Sequence, residues 1–216
     1  MKLNVLIADD HRIFRQGLRS LLEKESDLHV AAEADNGREA VEAVERMPID
    51  LAIMDIAMPG LNGIEATRKM LSLKRGLRVI GLSMHTDRRF VAEILKAGAI
   101  GFVSKDSAFE ELVQAIRTVL SGKTYLSPVA AGVVVDDYIR RNESNEANVF
   151  SALTAREREV LQLIAEGRST KQVAMDLHVS VKTVETHRRQ IMEKLDMYSV
   201  AELTKYAIRE GLTTLA

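Results

Sequence analysis

Cysteine is absent from this 216-residue chain. That excludes disulfides, a thiol nucleophile and any Cys-based metal site, and it fits a reducing compartment. Excess charge of either sign is missing too. Thirty Lys and Arg stand against 31 Asp and Glu, so no polybasic character advertises nucleic acid or membrane. Residues 151–216 alone hold ten basic against nine acidic side chains, so any DNA contact there must come from local clustering. Long apolar runs are lacking as well. The first, Leu3 to Ala8, is too short for a signal peptide or a membrane span and stops at two aspartates. Internal repeats are absent. The expectation is a soluble cytoplasmic protein of one large or two small domains, with no membrane partner.

The most informative stretch is Leu51-Ala-Ile-Met-Asp-Ile-Ala-Met-Pro-Gly60. Its first four residues form a continuous apolar run, the sign of a strand buried on both faces of a parallel sheet. Asp55 ends the run, and Pro59 and Gly60 then break the chain. Around it, strands are expected at Leu3–Ala8, Leu28–Ala34, Arg78–Ser83 and Ile100–Ser104. Each is followed by a helix, the first carrying Ile13, Phe14, Leu18, Leu21 and Leu22 on one face. Asn36 or Asp35 is expected to cap the second helix, and the fourth is expected over Asp87–Ala97. Five strand-then-helix repeats predict a parallel sheet covered on both faces.

Polar residues then fall at four strand ends: Asp9-Asp10, Asp55, Ser83 and Lys105. Ligands of open α/β sheets gather at such ends. Three carboxylates brought together repel unless a cation sits among them. Oxygen ligands with no second histidine near the other strand ends favour a hard ion, Mg²⁺ or Mn²⁺. A hydroxyl and an ammonium supply donors for phosphoryl oxygens. The set describes phosphoryl transfer onto an aspartate. A single Asp at any of these ends reads equally well as a turn former or helix cap; four suitable residues at four ends do not.

The motifs Ile7-Ala-Asp-Asp10, Met54-Asp-Ile-Ala-Met-Pro-Gly60, Leu82-Ser83 and Phe102-Val-Ser-Lys105, in this order, resemble the receiver domain of two-component response regulators over residues 3–121. The resemblance implies a five-stranded, flavodoxin-like fold and phosphorylation of Asp55 by a sensor histidine kinase. It implies Mg²⁺ held by Asp10, Asp55, the Ala57 carbonyl and a supporting Asp9. It assigns Ser83 and Lys105 to the phosphoryl group and makes Phe102 a switch aromatic that turns inward as Ser83 moves. One departure is Asp106, where many receivers have proline, which leaves the geometry of the preceding peptide open. His85 is read as a surface residue tuning access to the phosphoryl group. His11 invites a metal-hydrolase reading, which the missing second histidine weakens.

Ser127-Pro128 starts a short helix, serine at the cap and proline at the first position. Gly132 and three consecutive valines make that helix poor intrinsically. Arg140 to Asn148 is polar and aperiodic, a flexible linker. The expected divisions are 1–122, a 123–150 linker with a short helix, and 151–216. Beyond the linker, Thr154 with Glu157 forms a capping box, and Ser169, Ser180 and Ser199 cap three further helices. The second and third, joined by His178-Val179-Ser180, form a helix-turn-helix. Val184, His187, Ile191 and Leu195 make the inner face of the third helix. Lys182, Glu185, Thr186 and Arg189 fall opposite, an inventory suited to base edges in a major groove. Arg188 and Lys194 flank them and suit phosphates. A solvated surface helix would carry such charges too; the preceding turn favours the groove.

Leu153-Thr-Ala-Arg-Glu157, Val160-Leu161, Glu166-Gly167, Thr183-Val-Glu-Thr-His187 and Lys194-Leu195 resemble the LuxR-type helix-turn-helix of the NarL/FixJ class. By that resemblance Lys171 and Thr183 contact the DNA backbone, and the fourth helix, Val200, Leu203 and Ala207, pairs two copies. Thr170 and Glu185 depart from the common asparagine and lysine, and Glu185 weakens nonspecific phosphate attraction. The reading is a phosphorylation-controlled transcription factor, not a dedicated enzyme, that binds double-stranded DNA as a homodimer. The alternatives are a phosphate-independent regulator with the receiver as a scaffold, or an aspartyl-phosphate phosphatase. Ala57, standing where a phosphatase would need a second Asp, argues against the last.

Overall fold

Strand β3, Leu51–Asp55, runs through the middle of a parallel sheet, and its first four side chains have no exposed surface. The computed structural model describes residues 2–84, 88–107, 109–141 and 152–213. Two compact units divide the chain, residues 1–144 and 145–216. In the first, β1 (Leu3–Ala8), β2 (Leu28–Ala34), β4 (Arg78–Ser83), β5 (Gly101–Ser104) and β6 (Tyr125–Leu126) join β3. They alternate with α1 (Arg12–Leu22), α2 (Gly37–Arg46), α3 (Gly63–Leu73), α4 (Arg88–Lys96), α5 (Phe109–Leu120) and α6 (Pro128–Arg141). The order is β2-β1-β3-β4-β5-β6, with every pairing parallel. It reverses between β1 and β3, so their carboxyl ends open the crevice where such sheets bind ligands.

Five of the six strands fall where the apolar runs predict. The sixth is an addition: Tyr125 pairs with Gly101 and Leu126 with Phe102. Two residues are too few to show a period. After it the Ser127 carbonyl accepts from Ala131 N at 2.8 Å, and Pro128 takes the first helical position of α6. That helix packs against α4 and buries Ala130. Tertiary packing thus sustains a segment whose valines and Gly132 disfavour helix in isolation, and the expected linker helix belongs to the first unit. Of the expected flexible run Arg140–Asn148, the first two residues instead end α6, and the rest lies outside the described residues, as do His85 and Asp87.

One expected core residue is corrected. Ile13 is 87% exposed, whereas Leu18 and Leu22 are buried. At about 100° per residue, Ile13 falls roughly 140° from Leu18 and leaves the stripe; Phe14, about 40° away, stays beside it. Asn36, rather than Asp35, caps α2 by accepting from Arg38 N and Glu39 N.

The second unit holds α7 (Ala155–Ala165), α8 (Thr170–Asp176), α9 (Val181–Leu195) and α10 (Val200–Arg209). Thr154, Ser169, Ser180 and Ser199 cap them as their positions predict, with complete capping boxes at Thr154, Ser169 and Ser199. The turn between α8 and α9 passes through His178 at φ +53°, a left-handed conformation that a non-glycine residue tolerates as a single step. Val160, Leu161, Val173, Val184, Ile191 and Leu203 form the core. Of the residues expected to pair two copies, Leu203 and Ala207 are thus corrected to core, because their face of α10 packs within the unit, and Val200 alone is exposed. His187 and Leu195 are half-buried on the same inner face of α9.

Candidate functional site

Each strand end delivers its side chain through local backbone geometry. Asp55, the last residue of β3, is buried, and the next amide, Ile56 N, donates to the Leu82 carbonyl of β4 at 3.1 Å. Gly63, the first residue of α3, donates its N–H to the Ile56 carbonyl at 2.9 Å, so the helix is seated directly on the strand end. Lys105 N donates to the Ser83 carbonyl at 2.9 Å. That bond ties the end of β5 to the end of β4. The Lys105–Asp106 peptide is trans, as are all described peptides. Asp9 is buried after β1, and the His11 N–H donates to its Oδ1 at 2.9 Å.

These elements converge on one cation. Lys105 Nζ donates to Asp55 Oδ2 at 2.8 Å and lies 2.7 Å from Asp9 Oδ2. The second contact is ionic without hydrogen-bond geometry. The Lys105 side chain is 2% exposed. Asp10 is exposed beside them. Burial pushes the Asp55 carboxyl above its ordinary value; Lys105 pulls it down, and Asp9 opposes Lys105. One lysine between two buried carboxylates leaves negative charge uncompensated. Ligand atoms of Asp9, Asp10, His11 and Asp55 all lie within 4.8 Å of one another. A donor set dominated by carboxylate oxygens in a net-negative pocket fits a hard divalent cation. The His11 ring stands at the rim, two-thirds exposed, with Nδ1 2.8 Å from Asp10 Oδ1.

Ser83 is buried one residue beyond the Asp55–Leu82 pair. Phe102 has no exposed surface. Its ring lies over Gly81 of β4, whose missing side chain leaves the space, and β6 hydrogen-bonds along its backbone. The inward position assigned to the switched state is therefore occupied in this conformation.

Three contributors are not evident from the sequence pattern. Phe14 reads as plain core, yet its ring lies 5.0 Å from Lys105 Nζ. Arg15 belongs to no motif, yet its Nη1 donates to the Asp9 carbonyl, and its Nε is 3.4 Å from Glu33. Gly63 reads as a helix start, yet it lies against the Asp55 backbone. A glycine opening a helix eight residues after a buried strand's final carboxylate is the one signal that points to such a contact.

In the second unit, Lys182, Glu185, Arg188 and Arg189 stand exposed on α9, with Thr183 and Thr186 half-exposed, and Lys171 is exposed on α8. The Thr183 hydroxyl meets Ser180 Oγ at 2.8 Å, and that of Thr186 donates to the Lys182 carbonyl at 3.0 Å. Lys194 differs from the other cations. Its Nζ is 2.7 Å from Glu157 Oε2, so a phosphate would compete with that carboxylate. Burial alone would raise the Glu157 carboxyl; Lys194 and the Thr154 donors outweigh it and hold it below its ordinary value. Lys194 thus braces α9 against the cap of α7.

Residues 5–117 match the response regulator receiver domain family, and residues 151–207 match the luxR family of bacterial regulatory proteins. The chain is 35% identical to response regulator UvrY of Escherichia coli K12 over 97% of its own length and 95% of the relative's. It is 37% identical to the oxygen regulatory protein NreC of Staphylococcus carnosus, covering 97% and 99%. A structure of the response regulator RcsB in complex with DNA superposes with a TM-score of 0.60 at 26% identity, covering 95% of this chain and 98% of that one. The chain belongs to the two-component response regulators of the NarL/FixJ class, in which a phosphorylatable receiver controls a LuxR-type helix-turn-helix that regulates transcription.

Proposed function

We propose that Asp55 is the phosphoacceptor, and that its phosphorylation by a sensor histidine kinase switches sequence-specific DNA binding through α9. One Asp55 oxygen forms the new P–O bond while the kinase's P–N bond breaks, and the electron pair leaves with the donor imidazole. Lys105, already on Asp55 Oδ2, re-aims to a phosphoryl oxygen, and the Ser83 hydroxyl donates to another. Asp9, Asp10, Asp55 and the Ala57 carbonyl would hold Mg²⁺ or Mn²⁺, which supplies neutralising charge for the phosphoryl group when bound. The observation that carries this reading is the Lys105 ammonium shared by two buried carboxylates at the strand ends.

The output is a homodimer on double-stranded DNA, with Lys182, Glu185, Thr186 and Arg189 facing base edges. Lys171, Thr183, Arg188 and, in competition with Glu157, Lys194 face the backbone. Among the described residues no helix is long and apolar enough to cross a membrane; the protein acts in the cytoplasm, where kinase and chromosome are both within reach. Receiver chemistry here is self-modification with slow hydrolysis rather than dedicated enzyme turnover. Sedimentation and DNA binding with and without beryllofluoride and Mg²⁺ test the switch. The expected result is a shift to dimer with tighter, sequence-selective binding. DNA binding with no shift would make the receiver a phosphate-independent scaffold.

The α9 face has its own test. On the tightest duplex selected from random sequence, Arg189→Ala should weaken binding about tenfold to a hundredfold and relax preference at one base pair. Lys171→Ala should weaken all duplexes alike and flatten the salt dependence. Unchanged affinity and preference for Arg189→Ala would remove that residue from the groove.

A further inference from the structure

Lys105 Nζ has a third neighbour besides Asp9 and Asp55. The Phe14 ring of α1 lies with its centroid 5.0 Å away, inside the roughly 6 Å reach of a cation–π contact. The ammonium has almost no access to solvent, so neighbours rather than water must balance it. The two carboxylate contacts fix two directions for the ammonium, a directional hydrogen bond to Asp55 at 2.8 Å and an ionic contact to Asp9 at 2.7 Å. When a phosphoryl group forms on Asp55, the ammonium must give up one of those directions for a phosphoryl oxygen. Attraction to an aromatic face tolerates such a shift and offers no lone pair to compete with the incoming oxygen.

We propose that Phe14 is a positioning residue for phosphoryl transfer: its ring holds the Lys105 ammonium in the pocket while that ammonium moves from Asp55 to the phosphoryl group. This rests on Asp55 being the phosphoacceptor. The bland account is packing, since Phe14 also lies against the core of the first unit. A leucine would satisfy packing and would not satisfy the ammonium. The ring also makes α1 a wall of the phosphorylation pocket, because Phe14 and the Asp9-contacting Arg15 are neighbours on it.

The test uses the full chain with Mg²⁺ and acetyl phosphate, following the initial labelling rate against donor concentration. Phe14→Leu should lower the maximal rate about threefold to tenfold, leave the half-saturating donor concentration within twofold, and weaken beryllofluoride binding by a similar factor. Phe14→Tyr should stay within twofold of the parent chain. Should Phe14→Leu melt early, fluorinated phenylalanines at position 14 keep the ring's shape while draining its negative face. Rates should then fall stepwise with each fluorine. Equal behaviour of Phe14→Leu and Phe14→Tyr, or a flat fluorine series, would overturn the role of the ring. A parent chain that takes up no label would instead overturn the phosphoacceptor assignment, and the two failures are read from different samples.

Discussion

Gly63→Ala is expected to cost about 3 kcal/mol of stability and to remove most of the phosphate incorporation at Asp55. A Cβ built on Gly63 would sit 2.0 Å from the Asp55 carbonyl oxygen, 2.9 Å from its carbon and 3.0 Å from Ile56 Cα. All three obstacles are backbone, so no side chain can swing away. Either α3 lifts off and loses the Gly63 N–H bond to the Ile56 carbonyl, or the end of β3 moves and takes the Asp55 carboxylate from Lys105. Gly37 repeats the arrangement one layer out, its Cβ position 2.2 Å from the Leu61 carbonyl. The loop from Ile56 to Asn62 is thus pinned between two close backbone approaches. Gly17 and Gly132 lie in helices with nothing within 4 Å of a Cβ. Alanine there should stabilise by about 0.5–1 kcal/mol. Urea denaturation of the three alanine variants, with labelling by acetyl phosphate, separates close approach from helix propensity. A Gly63→Ala chain as stable as its parent would refute the close-packing argument.

The contrast between Gly63 and Gly132 also shows what a sequence does and does not reveal. Apolar runs and their terminal polar residues exposed β1, β3, β4 and β5, because burial on both faces of a parallel sheet admits few other patterns. Serines and threonines at the four caps of the second unit were equally legible, since each serves a local hydrogen bond within three residues. Contacts made at long range were not. Phe14 and Lys105 are 91 positions apart in the numbering, and nothing in an α1 stripe distinguishes a ring on a lysine from a ring in a core. The pair of Lys194 with Glu157, which a phosphate would have to displace, spans 37 residues and is equally hidden. Ile13 was misplaced because spacing alone does not set the centre of a stripe. Strand β6 escaped for the opposite reason: its two residues make sense only through pairing with Gly101 and Phe102. The segment leading out of the first unit hydrogen-bonds along Phe102, the aromatic expected to switch, and α6 packs on the helix that follows Ser83.

Asp55→Asn should abolish phosphate incorporation and, in metal-free protein at neutral pH, raise the melting temperature. The two effects have one cause. Burial, together with Asp9, holds the Asp55 carboxyl above its ordinary value of 3.8 despite Lys105. With a folded-state pKa above the unfolded one, the stability associated with the neutral carboxyl is fully present below about 3.8. It is lost as pH rises through the raised folded value. Above that value the native chain carries a buried charge that Lys105, shared with Asp9, does not fully balance. Asparagine keeps the shape, removes the charge and leaves the Lys105–Asp9 contact at 2.7 Å intact. The gain over the parent should therefore be small near pH 4 and grow as pH rises, which melting curves across pH would resolve. Mg²⁺ should narrow the difference by stabilising the parent more than the variant, since Asp55 is one of the proposed ligands. Intact mass after incubation with acetyl phosphate reads the loss of labelling. Retained labelling would move the phosphoacceptor elsewhere. A variant less stable than its parent at neutral pH would mean that the Lys105–Asp55 pair outweighs the burial of its charge, and the pocket would then not be held in the strained, anion-rich state that suits a phosphoryl group and its cation.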